Sequence, residues 1–262
     1  MNSKEGRKKM IEQKAMAFVN AYGVLGSLES LCRIDGKAKE ILKGLKKPVK
    51  LCFEVKNGPC CSFEFSADGC KMTEGDAGGC KMSFSSPEKF NALINESKPG
   101  VPSRKPIETL MFLSGAFTAL TNRLNEVLRP AKGAMDDRAF FEENTLMTMY
   151  VLAGAIAALA NTDSISKQSA AATPDGDVSL GIKDTASVTL RVKDHHFTAL
   201  REPAENPRAV MEFADIDLAA GLFAGKVATV NELCRGNIRL AGMLSMVDNI
   251  NRILDRAAVY LA

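Results

Sequence analysis

The hydrophobic pattern is clearest from Phe213 to Leu261. In the run Phe213-Ala-Asp-Ile-Asp-Leu218, Asp215 is placed to cap a short helix. The apolar side of that helix is Leu218 and Leu222, and Gly225 is placed to end it. Gly236 and Gly242 bracket a strand with Ile238 and Leu240 on one face and Asn237, Arg239 and Ala241 on the other. From Met243 the period becomes helical, because Met243, Val247, Ile250, Leu254, Ala258 and Leu261 fall three or four apart. A helix that follows a strand across one glycine folds back and lays its apolar stripe on the sheet.

Upstream, Met10 to Leu31 predicts an amphipathic helix carrying Ile11, Phe18, Tyr22, Leu25 and Leu28. A Lys-rich helical piece follows and ends before Pro48. Alternation then predicts strands at Leu51–Val55 and Cys61–Phe65, joined by an Asn57-Gly58 turn. Asp68-Gly69 marks the next turn, and short strands are expected at Cys70–Thr73 and around Met82 and Phe84. Ser86-Pro87-Glu88 starts a short helix. After a Pro-rich stretch, Lys98 to Pro106, a strand is expected at Leu110–Leu113 and a helix with Phe117, Leu120, Leu124 and Leu128.

The same order of events then recurs. Tyr22 and Gly26 correspond to Tyr150 and Gly154, 128 residues on. Val55-Lys-Asn-Gly58 corresponds to Ile182-Lys-Asp-Thr185, and Phe63 and Phe65 to Leu190 and Val192, all 127 on. Asp68-Gly69 matches Asp194-His195, and Met82 and Phe84 match Met211 and Phe213 at 129. Leu113 and Gly115 match Leu240 and Gly242 at 127. Two copies of one α+β module are therefore expected, at residues 1–135 and 136–262, with Lys132–Asp137 as the joint. Thr162–Asp177 reads as a polar loop. The apolar helix Leu146–Leu159 is the element expected to lie between the copies.

Composition narrows the function classes. The apolar fraction of 46% is that of a globular chain, and a net charge of +3 without any Trp offers little to nucleic acid. The apolar stretch Met147–Ala160 is shorter than the ~20 residues of a membrane span. Seven Cys, without a leader-like N-terminus, suit reduced thiols in the cytoplasm. Cys60, Cys61, Cys70 and Cys80 lack metal-knuckle spacing and a nearby His, so no metal site is expected. His195 and His196 sit at a predicted turn, where turn chemistry explains Asp194-His195 better than catalysis. Lys4, Arg7, Lys8 and Lys9 suit transient contact with an anionic membrane, against the plainer reading of a solvated helix start.

The residues resemble the sterol carrier protein type 2 superfamily. The second copy carries the resemblance in Met211-Glu-Phe-Ala-Asp-Ile-Asp-Leu218, Leu222-Phe-Ala-Gly-Lys226 and Gly236-Asn-Ile-Arg-Leu-Ala-Gly242. The first carries it in Phe53-Glu-Val-Lys-Asn-Gly58, Phe63-Glu-Phe65, Asp68-Gly69 and Met82-Ser-Phe-Ser-Ser-Pro-Glu88, but has Pro106 and Ile107 where the second has the glycine opening its last strand. The resemblance implies an α+β fold of two tandem modules, each a mostly antiparallel five-stranded sheet covered by helices over an apolar tunnel. It also implies a hydrophobic small-molecule ligand (fatty acid, acyl-CoA, sterol or other lipid), with no catalytic residues and no cofactor. Candidate ligand-binding residues are Phe84, Leu113, Phe117 and Leu120 in the first copy and Phe213, Leu240, Met243 and Val247 in the second. The plainer reading of each is core packing. The alternative function is a ligand-free scaffold with a protein partner.

Overall fold

The computed structural model describes residues 11–96 and 107–261. The basic N-terminal run and the Pro-rich stretch Lys98–Pro106 lie outside them. The described chain forms two compact units, Glu12–Glu143 and a second from Asn144 onward.

In the first unit, helix α1 (Gln13–Ile34) takes π geometry at Val19–Val24 and a 3₁₀ turn at Leu25–Ser27. Helix α2 (Gly36–Lys43) follows directly, with the Asp35 carboxylate accepting the Ala38 N–H as its cap. Strands β1 (Val49–Val55), β2 (Cys60–Ser66), β3 (Gly69–Glu74) and β4 (Cys80–Phe84) stand in the order β3-β2-β1-β4. The β1–β2 and β2–β3 pairs are antiparallel, and β1–β4 is parallel. Register puts Leu51, Phe53, Val55, Phe63, Phe65, Met82 and Phe84 on one face and Lys50, Glu54, Glu64, Lys71 and Lys81 on the other. The apolar face faces the core, while Lys50–Glu64 and Lys81–Glu54 pair on the polar one.

Helix α3 (Pro87–Glu96) starts where its Ser-Pro-Glu signal stands. The expected strand Leu110–Leu113 is not a strand. Helix α4 runs through Ile107–Phe112, a π turn at Leu113–Phe117 and Thr118–Leu128. This sheet therefore has four strands among the described residues, not five. The correspondence of Leu113 and Gly115 with Leu240 and Gly242 breaks down there.

The second unit takes in most of helix α5 (Arg138–Thr162), then α6 (Ser166–Ala171) inside the expected polar loop. Helix α5 is 25 residues long, enough to cross a bilayer and longer than its apolar core suggested, yet 78% of its most apolar window is buried. Strands β5 (Gly176–Ile182), β6 (Ala186–Lys193), β7 (His196–Leu200), β8 (Ala209–Phe213) and β9 (Ile238–Gly242) stand in the order β7-β6-β5-β8-β9. Only β5–β8 is parallel. Between β8 and β9 lie α7 (Ile216–Phe223) and α8 (Thr229–Cys234), and α9 (Leu244–Leu261) ends the described chain.

The two sheets share registers. Val55 pairs with Phe84 and Ile182 with Phe213; Leu51 pairs with Phe63 and Val178 with Leu190. Asn57 and Asp184 adopt left-handed φ of 59° and 54° in the same turn, closed by Gly58 N–H to Val55 O and Thr185 N–H to Ile182 O. Asp194 and His195, at φ 52° and 58°, make the tight hairpin turn between β6 and β7.

Candidate functional site

The segment that runs from β8 through α7 and β9 to the start of α9 is built by short-range signals. Asp215 accepts the Leu218 N–H at 2.8 Å and caps α7. Gly225 ends it in a left-handed conformation, with Gly225 N–H bonded to Leu222 O and Lys226 N–H to Gly221 O. Gly242, at φ 76°, turns the chain from β9 into α9. A β-carbon there would run into the carbonyl oxygen of Arg208, so only glycine fits. The Met243 N–H then bonds to that same oxygen at 2.9 Å.

Of the second unit's four candidates, Phe213 and Val247 are buried, whereas Leu240 and Met243 are half-buried. Leu240 lies opposite Met211, and Ile238 opposite Phe213, on the apolar face of the sheet. The Phe213 ring meets Phe223 edge-on at 5.7 Å. Phe223 and Leu222 are themselves half-buried, so α7 supplies apolar surface at the Phe213–Ile238 end of the two strands, opposite the end that carries Gly242. Sequence reading placed Leu222 on the helix but missed Phe223, although its position beside Leu222 in an apolar helix was a signal. Leu244, 58% exposed, begins α9 in full view of solvent.

The apolar stripe of α9 is rotated from the expected one. Met246, Ile250, Ile253, Ala257 and Tyr260 are buried together with Val247, while Ala258 is exposed and Leu254 and Leu261 are half-buried. The helix begins at Leu244, so Met243 belongs to the turn, and Arg256 is drawn inward by Asp163.

In the first unit, Leu120 is fully buried and Phe84, Leu113 and Phe117 are half-buried. Phe84 stacks edge-on against Phe90 at 5.1 Å, at the β4 side of the sheet. Phe117 lies 5.9 Å from Phe65, 6.1 Å from Phe53 and 6.2 Å from Phe112. With Phe63 these rings form a packed cluster, where each contact adds about 0.5–1.5 kcal/mol beyond area burial. The π turn at Leu113–Phe117 presents Phe117 to the sheet where the second unit has a strand.

A separate open groove of about 420 Å³ lies against α1, α2 and β3, with Glu29, Arg33, Lys39, Lys43 and Asp68 around it. Cys32, Ala67, Gly69 and Cys70 line it as well, so its wall is mixed. None of the eight candidate residues lines it.

All seven cysteines are free thiols, with Cys32, Cys52, Cys61 and Cys70 buried. Burial pushes the Cys52 thiol up to about 11 and the Cys61 thiol higher still, away from thiolate chemistry. Among the described residues no group of three His, Cys, Asp or Glu is placed to hold a metal ion.

No protein-family model matches the sequence, and no curated protein matches it. Among solved structures, the chain is similar to a ubiquinone synthesis protein named UbiJ-SCP2, at 17% identity over 41% of this chain and 95% of that one, with a TM-score of 0.32. It is similar to sterol carrier protein 2 at 18% identity over 42% of this chain and 92% of that one, also at 0.32. A conserved hypothetical protein from Thermus thermophilus gives 20% identity over 38% and 79%, at 0.29. Superpositions at this level assign no ligand.

Proposed function

We propose that the chain is a non-enzymatic binding protein for a hydrophobic small molecule, a fatty acid, acyl-CoA or related lipid. On this reading the two units are copies of one sterol-carrier-like module, with an apolar tunnel beneath the last helix of the second. The observation that carries it is the set of half-buried apolar side chains along β8 and β9. Leu240 and Met243 lie toward the β9-to-α9 turn, and Leu222 and Phe223 lie on α7, whose Phe223 meets Phe213 at the opposite end of the strands. Large flexible apolar side chains left half-covered beside a sheet face are what an acyl-chain site requires. Burial of a chain gains about 0.8 kcal/mol per methylene, so affinity needs no catalytic or charged group. Shared strand registers and the repeated left-handed turn support the two-copy reading. The free cysteines suit a reducing compartment such as the cytoplasm.

Native mass spectrometry of the gently purified chain is expected to detect a co-purified lipid, and a fluorescent fatty acid is expected to bind and be displaced by unlabelled chains. A clean apo mass together with no fluorescent binding would overturn the reading.

One observation favours a second reading for the first unit. Its ring cluster fills the corresponding place, and its sheet has four strands among the described residues. That unit fits a ligand-free scaffold for a protein partner, while the second holds the lipid.

A further inference from the structure

The two sheets differ at one edge. In the second unit β9 pairs antiparallel with the outer edge of β8. In the first, among the described residues, no strand pairs with the outer edge of β4. The consequence shows in burial: Met211 and Phe213 are 5% and 3% exposed, whereas Met82 and Phe84, at matching register, are only half-buried. An unpaired strand edge is a template for another strand unless charge, proline or a bulge guards it. The one charge on β4 is Lys81, and it is drawn onto the polar face by Asp76 at 2.8 Å and Glu54 at 3.4 Å.

We propose that the β4 edge docks the β4 edge of a second copy of this chain, antiparallel about Met82, joining two four-stranded sheets into one. The five residues are self-complementary in that register. Met82 faces Met82 and Cys80 faces Phe84 on the apolar face, while Lys81 faces Ser83 on the polar face. No like charges oppose each other. Ser83 lies 3.5 Å from the Glu54 carboxylate, so the Lys81 arriving from the second copy meets an acidic neighbour. A two-fold axis through Met82 closes the assembly at two copies, because each β4 edge is consumed by the other.

Ser83 is exposed, so its replacement leaves the monomer's core intact. Ser83→Lys sets a new ammonium group opposite the second copy's Lys81 on both sides of the axis, and Ser83→Glu places a carboxylate there instead. Sedimentation of the full chain from micromolar to millimolar concentration is expected to show a monomer–dimer equilibrium. Ser83→Lys should weaken it by about tenfold or more, and Ser83→Glu should leave it as tight or tighter. Hydrogen exchange at the Lys81 and Ser83 amides, which face away from β1, should slow as the dimer forms. A wild-type chain that stays monomeric at every concentration would overturn the proposal. So would a dimer that Ser83→Lys does not weaken, or one that forms without added protection on β4.

Discussion

Arg256 holds the carboxylate of Asp163 inside the second unit, with Nη2 3.1 Å from Oδ1 and Nε 3.2 Å from Oδ2, and both side chains are buried. The first unit repeats the device: Arg123 Nη2 and Nε lie 2.9 and 3.1 Å from Asp35 Oδ2. The two aspartates are 128 residues apart, and each accepts the amide three residues later at the start of its helix. Asp35 thus caps α2 and Asp163 accepts the first amide of α6, and each also anchors α4 or α9 through its arginine. A buried charge left without its partner costs about 3–5 kcal/mol. Arg256→Met is therefore expected to lower stability by about that much, as read from urea midpoints. The double variant Asp163→Asn/Arg256→Met should lose clearly less than the two single losses together. Strict additivity would show that the pair does not act as a unit.

The third partner of each pair differs, and that difference predicts a pH response. In the second unit it is Tyr260, whose hydroxyl donates to Asp163 at 2.7 Å. In the first it is Glu143, whose Oε2 lies 2.6 Å from Arg123 Nη2. Glu126, 3.0 Å from Nη1, adds another negative charge around the same guanidinium. Burial first, then the hydrogen bond and charge of Asp35, push the Glu143 carboxyl up to about 7. Burial also pushes Asp35 up, but the Ala38 amide and Arg123 outweigh it and hold Asp35 low. Between the ordinary carboxylate range and pH 7 the folded chain keeps a proton on Glu143 that the unfolded chain has released. Glu143 therefore makes stability fall as pH rises through that window, at no more than about 1.4 kcal/mol per pH unit. Glu143→Gln should remove this slope. Urea midpoints of both proteins from pH 5 to pH 8 check it, and parallel curves would refute the assignment.

Strands were legible because each sheet is apolar on one face and polar on the other, so alternation survives in Leu51–Val55 and Cys61–Phe65. The turns at Asn57 and Asp184 were legible as turns, although Lys-Asp-Thr carries a weaker signal than Lys-Asn-Gly. Leu110–Leu113 misled because four consecutive apolar residues have no period with which to separate strand from helix. The repeat itself then argued for a strand where this unit has helix α4. The ion pairs were invisible to hydropathy, because the partners of Arg123 and Arg256 stand 88 and 93 positions away in the sequence. Of the candidate residues, the strand positions of Phe84, Phe213 and Leu240 were legible, but Leu113 lies in a π turn and Met243 before its helix, and the coverage of none of them was legible. Whether an apolar side chain is buried or half-buried depends on how far α7, α9 or a fifth strand reaches over it.

The β9-to-α9 turn gives a third prediction. Gly242→Ala forces a β-carbon into the Arg208 carbonyl and into a left-handed backbone. The strain should cost more than about 1 kcal/mol, the size of an unfavourable left-handed conformation alone. Gly225→Ala shares the left-handed conformation but has open space around its β-carbon, so it serves as the comparison. Thermal denaturation should rank Gly242→Ala clearly below Gly225→Ala, and equal melting temperatures would show that the Arg208 contact is unimportant.

The last prediction concerns the lipid reading. Met243 is half-buried in the turn that follows β9, whereas Leu244 is exposed on the next residue. Met243→Arg sets a cation among apolar groups that would line the ligand's path, with a stem long enough to carry the charge to water and spare the fold. Leu244→Arg adds the same charge one residue away on the open surface. Fluorescent fatty-acid titration should show binding weakened by about tenfold or more in Met243→Arg, since a lost acyl contact of two methylenes already amounts to that. Leu244→Arg should bind as the parent does. Equal affinities in all three proteins would move the ligand away from the β9-to-α9 turn. Loss in both variants would point to charge repulsion at the surface rather than a specific place beneath α9. Only the split between neighbouring residues identifies Met243 as part of the site.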